Sequence, residues 1–115
     1  RRLIMDISQI GYFQFNNLIQ GRIPMVLVNL GVDLKTWYKS VEAMHIDNVT
    51  ITGTTEEIQQ QIKAKNLPAH YPILVVDHDG VKAKPLVETL ESQGHMNVYY
   101  LKGGFEGIAK ERSEI

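Results

Sequence analysis

Six consecutive residues carry most of the chemistry this sequence could do: Asp77-His78-Asp79-Gly80-Val81-Lys82. They follow an apolar run, Ile73 to Val76, that reads as a buried strand, and they precede a helical pattern. A strand, a tight glycine-containing turn and a helix N-terminus aim several backbone N–H groups at one point, and such a point attracts anions. A thiolate or hydroxyl placed there would be a nucleophile. This chain places a carboxylate there, and none of its 115 residues is a cysteine. Thiol catalysis, disulfides and thiolate metal sites are therefore excluded within it.

Two chemical readings compete for Asp77. In the first it is an internal plug, a carboxylate that accepts the loop N–H groups an anionic ligand would otherwise use. A negative charge at a helix N-terminus gains about 0.3–1 kcal/mol from the helix dipole without any partner, and charge-assisted hydrogen bonds add to it. In the second it is a base or nucleophile of a hydrolase-type or anion- or metal-dependent enzyme, assisted by His78. Asp77, His78 and Asp79 with His45 or Asp47 could also be imagined around a metal. Adjacent residues on a tight turn diverge, however, and no His-x-x-x-His spacing is present, so no metal is expected. The hydroxyls of Thr36, Ser40, Thr50 and Ser92 lack any nucleophile setting. Gly103-Gly104 has no Lys-Ser/Thr after it and reads as a turn, not a phosphate loop. His78 and His95 read as exposed loop residues, Lys63 and Lys65 as solvated charges. No cofactor is expected.

The elements that must position the loop alternate. Ile7 is expected in a short first strand. Ser8 is expected to cap a helix with Ile10, Phe13, Leu18 and Ile19 on its apolar face, ending near Gly21. Tyr12, Phe13 and Phe15 are expected mainly in the core. Met25 to Val28 reads as a central strand. Leu34 to Met44 reads as a helix with Leu34, Trp37, Val41 and Met44 inward, and Val49 to Ile51 as a short strand. Thr54 and Glu57 form a capping box ahead of a helix to about Lys65. After Ile73 to Val76, Val81 to Gln93 is helical with Leu86, Val87 and Leu90 inward and Gly94 as its stop. Val98 to Leu101 is the last strand, with Tyr99 and Tyr100 on opposite faces, and Phe105 to Arg112 the last helix. Strict alternation predicts a parallel sheet with helices on both faces and a ligand site at the carboxyl ends of the strands.

Length and the absence of linkers or repeats predict one domain over residues 1–115. A net charge of −1 gives no electrostatic reason to expect nucleic acid or an anionic membrane, and no apolar run is long enough to span a bilayer. The first residue is Arg1. The chain reads as a trimmed or processed product or a domain of something longer, or as a protein starting at Met5 with Arg1 to Ile4 added by cloning. No signal peptide is recognisable. The cytoplasm is favoured, and the absence of cysteine leaves the periplasm open.

Four segments in order resemble one family. Val98-Tyr99-Tyr100-Leu101-Lys102-Gly103-Gly104-Phe105 is similar to the V-Y-x-L-x-G-G-F segment of rhodanese-like (sulfurtransferase) domains. The helix before it, ending at Gly94, fits their L-x-x-x-G run. His45 to Ile51 resembles their H-I-P-G-A-h-N-I segment, with His45 at a position that usually hydrogen-bonds structurally. Met25 to Asn29 resembles the strand that normally ends in Asp-x-Arg. The resemblance implies a rhodanese-like α/β fold, a central parallel five-stranded sheet flanked by helices on both faces. It also sets the register of the loop, which in the family reads C-x-x-G-x-R-S. With Gly80 aligned, the cysteine falls on Asp77, the arginine on Lys82 and the serine on Ala83. Asn29 and Gly31 stand at the Asp-x-Arg positions, and Ile108 where the family has tryptophan.

A rhodanese needs a thiolate to carry its persulfide, and a carboxylate cannot. The resemblance thus implies a catalytically inactive variant whose loop, Asp77 through Lys82, is degenerate. The expected function is a binding or regulatory module for a protein partner or another domain of a parent chain. Alternatives are the enzyme of another class described above and an oligomerisation domain. A monomer or weak homodimer is expected, with no nucleic acid and no membrane partner.

Overall fold

The computed structural model describes residues 8–114. The strands are β1 (Gln9–Ile10), β2 (Val26–Asn29), β3 (Thr50–Ile51), β4 (Ile73–Val76) and β5 (Val98–Leu101). The α-helices are α1 (Tyr12–Gln20), α2 (Ser40–Val49), α3 (Thr55–Lys65), α4 (Ala83–Ser92) and α5 (Gly104–Ser113), with a 3-10 turn at Leu34–Thr36. The strands form one sheet in the order β1-β5-β4-β2-β3, and every neighbouring pair is parallel.

The period-2 alternation of the strands splits the core into two layers. Leu27, Leu74, Val76 and Leu101 face one way and pack with Phe15, Ile19, Ile46 and Ile108 from α1, α2 and α5. Val26, Val28, Ile73, Val75, Val98 and Tyr100 face the other way, onto Ile58 and Ile62 of α3 and Leu86, Val87 and Leu90 of α4. A sheet covered on both faces needs strands apolar at every position. That is why Ile73 to Val76 is a continuous apolar run. Tyr99 and Tyr100 do point to opposite faces.

The ends of β4, β5 and α3 lie where the sequence puts them. Thr54 caps α3 by accepting the Glu57 N–H at 3.1 Å, while the Glu57 side chain accepts the Thr54 N–H at 2.8 Å. The first third of the chain departs from expectation. Ile7 lies outside the described residues. Ser8 is not a helix cap: its hydroxyl donates to Glu91 at 2.9 Å. Ile10 belongs to β1, and α1 starts after Gly11, whose N–H donates to the Gln14 side chain. Phe13 is consequently 58% exposed, while Phe15 is fully buried.

The expected helix from Leu34 to Met44 is two pieces. Asp33 accepts the Lys35 N–H and caps the short 3-10 turn. The backbone then extends at Lys39, and α2 begins at Ser40 with φ of +53°. That break resets the helical phase. Val41 and Met44 turn to solvent and Ile46 turns to the core. Val49 ends α2 instead of opening β3, and α4 begins at Ala83, leaving Val81 and Lys82 in the preceding turn. Among the described residues no helix is long and apolar enough to cross a membrane.

Candidate functional site

β4 and β2 are neighbours at the centre of the sheet, yet their chains leave in opposite directions. After β2 the chain returns through α2 on one face, and after β4 through α4 on the other. Such a divergence opens a crevice at the carboxyl ends of the strands. The loop from Asp77 to Lys82 lies there.

Asp77 continues the alternation of β4, so its side chain turns toward the start of α4. It is 2% exposed. One carboxylate oxygen accepts the Gly80 N–H at 2.9 Å. The other accepts the N–H groups of Lys82 at 3.1 Å and Ala83 at 3.0 Å. Ala83 is the first residue of α4, so Asp77 caps that helix from a strand end rather than from the residue before it. N–H groups without helical partners and the positive end of the helix dipole both meet one negative charge. Gly80 has φ of +91° and turns the chain back over the carboxylate. Asp79 adds a smaller turn, accepting the Val81 N–H at 3.0 Å.

The start of α5 clamps the loop from the other side. The Phe105 N–H donates to the Asp77 carbonyl at 2.7 Å, and the Glu106 N–H to the His78 carbonyl at 2.9 Å. Gly104, with φ of +67°, lies against the His78–Asp79 backbone, where a β-carbon would overlap it. Behind the clamp, Trp37 packs on Phe105 with ring centroids 4.5 Å apart, and the Arg112 guanidinium lies 4.8 Å over Trp37.

The loop after β2 is closed by its own side chain. Asn29 accepts the N–H groups of Gly31 at 2.9 Å and Val32 at 2.7 Å and donates to the Val32 carbonyl at 2.6 Å. The Leu30 N–H donates to the Val76 carbonyl at 2.8 Å, carrying the β2–β4 pairing to the edge of the loop. Between these loops and the one after β3 lies an open groove of about 910 Å³.

Asp77, Asp79 and Gly80 therefore act together. Lys82 joins them through its backbone; its ammonium is exposed and pairs with neither aspartate. His78 is exposed and makes no hydrogen bond to Asp77. His45 meets the Ile23 carbonyl at 3.1 Å, a backbone contact of the kind expected for it, and Asp47 pairs with Lys35 at 2.9 Å. Neither reaches Asp77, and the described residues contain no group of three possible metal ligands. Sequence reasoning missed the clamp. Its signal was present as Gly103-Gly104 opening a helix, but backbone donors leave no trace in side-chain chemistry.

A family model for the rhodanese-like domain matches residues 28–111. No curated protein matches the chain. A solution structure of a rhodanese-like domain from an Anabaena sp. protein superposes with a TM-score of 0.62 at 17% identity, covering 93% of this chain and 76% of that one. A crystal structure of that Anabaena protein gives a TM-score of 0.60 at 15% identity, covering 89% and 86%. With most of its length matched by the family model and its five parallel strands in the same fold, this chain belongs to the rhodanese-like domain family.

Proposed function

We propose that this chain is a non-catalytic rhodanese-like domain that works by binding, with Asp77 standing where active members carry the nucleophilic cysteine. One observation carries the reading: the Asp77 carboxylate accepts three loop and helix N–H groups and is buried by them. The donors that would cradle a transferred anionic group are occupied from within. A second anion would meet Asp77 at close range, and the charges would repel. The sequence supplies no thiol to carry sulfur.

An enzyme of another class would need a carboxylate oxygen of Asp77 turned to the groove, with a partner such as His78. Both oxygens are instead turned to backbone donors.

Thiosulfate:cyanide sulfurtransfer tests the proposal. The expected rate equals the no-protein control, and turnover above it overturns the proposal. Asp77→Cys is expected to leave the rate near background too. Lys82, Ala83, Asn29 and Gly31 still lack the guanidinium groups, hydroxyl and carboxylate that the family motif carries at those positions.

A further inference from the structure

We infer that the groove beside the Asp77 loop is a docking site for a peptide segment that sets an apolar side chain next to a carboxylate. The inference rests on the non-catalytic binding role proposed above and names the partner chemistry of that same site.

Three features of the groove select this occupant. The first is Val81, 71% exposed at the rim. An apolar side chain at a loop tip usually folds back or moves freely. This one stands on fixed backbone: its own N–H is held by Asp79, and those of Gly80 and Lys82 on either side by Asp77. An apolar side chain on backbone already held in place loses less freedom on binding, which favours association.

The second is charge. Among the described residues, Lys82 is the only charged one lining the groove. No ion pair to its ammonium occurs among the described residues, and the Asp77 carboxylate, which accepts the Lys82 backbone N–H, is spent on backbone donors. The groove therefore offers one unpaired cation beside one exposed apolar side chain. The complementary ligand pairs a carboxylate with an apolar group. A small inorganic anion would find only the lysine, because the cradle amides are taken.

The third is shape. Leu30 and Pro85 extend the apolar surface, and the hydroxyl-bearing Thr52 and Thr55 line the part after β3, where a peptide backbone could find partners. The volume of about 910 Å³ admits a few side chains of an extended segment.

Selection of random peptides on phage against the whole chain tests the inference, followed by affinities of the selected peptides for the unmodified chain, Val81→Ser, Lys82→Glu and a distant control, Lys65→Glu. The expected consensus carries Asp or Glu beside Leu, Ile or Phe. Its binding should weaken about tenfold in each groove variant and be unchanged in the control. Raised salt should weaken it further. Three results overturn the inference: no enrichment, a consensus without an acidic residue, or binding that survives both groove substitutions. Self-association of the chain abolished by Val81→Ser would also overturn it and give the groove to a second copy. Failed selection with sulfurtransfer at background removes only the groove assignment, whereas sulfurtransfer above background removes the non-catalytic reading with it.

Discussion

Gly104 and Asp79 touch through backbone alone: a β-carbon at residue 104 would fall onto the Asp79 amide nitrogen. The contact lets α5 donate its first N–H groups to the carbonyls of Asp77 and His78. The loop is thus held by a carboxylate on one side and a helix start on the other.

Gly104→Ala is expected to destabilise by about 3 kcal/mol or more, because a positive φ costs a side chain about 1–2 kcal/mol and the overlap adds to it. Gly94 also has positive φ, +100°, but a β-carbon there meets nothing within 4 Å. Gly94→Ala should therefore show only the conformational cost of about 1–2 kcal/mol. Urea unfolding of both variants checks the difference; equal losses would mean that the close approach to Asp79 adds nothing to the cost of the side chain.

Asp77→Ala leaves three N–H groups without their acceptor, and the expected loss is about 3–5 kcal/mol. Asp77→Asn keeps the shape but turns an amide NH₂ toward backbone donors, for an expected loss of about 1–3 kcal/mol. The ranking, read from urea midpoints, distinguishes a structural plug from a group strained for catalysis. An alanine variant as stable as the parent would contradict the plug.

Phe13 and Phe15 are two residues apart and should respond oppositely to truncation. Phe15→Ala should cost about 3–5 kcal/mol, since Phe15 is fully buried. Phe13→Ala should change stability by no more than about 0.5 kcal/mol. Thermal unfolding of the pair reports directly on where α1 begins.

Tyr38 is buried and donates its hydroxyl to Asn16 at 2.8 Å. Burial, reinforced by Tyr12, raises its pKa above the ordinary value. The folded state therefore keeps a proton that the unfolded state releases near pH 10. The stability this provides is complete below that pH and is lost as pH rises above it. Tyr38→Phe should flatten the alkaline limb of a stability–pH curve while lowering stability at neutral pH by about 1 kcal/mol.

What the sequence made legible follows how local each signal is. The ends of β4 and β5 could be read because both run apolar between turn residues, and α3 because Thr54 and Glu57 cap it within one turn. The first helix could not, because Ile10 and Phe13 fit a helical stripe as well as their true places in a strand and on the surface. The break at Ser40 depends on a backbone conformation that serine rarely adopts, and its side-chain type gives no warning of it. At the site, Asp77 and Gly80 announced a closed anion cradle. Asn29 sealing its own turn and α5 pressing on the loop arise from tertiary packing that no short window contains.

The parallel pairing of every strand bears on how the chain reaches this fold. No two neighbouring strands are joined by a hairpin, and β1 can find its place only beside β5, near the opposite end of the described residues. Contacts between residues far apart in sequence close slowly, since loop entropy is lost before any pairing repays it. Contacts within six residues, such as the Asp77 cap of α4, are therefore expected before the α5 donors, 28 residues on, and the β2–β4 pairing across 47. During that interval the carboxylate would already cap α4, so the most charged element of the site would assemble first and wait for its clamp.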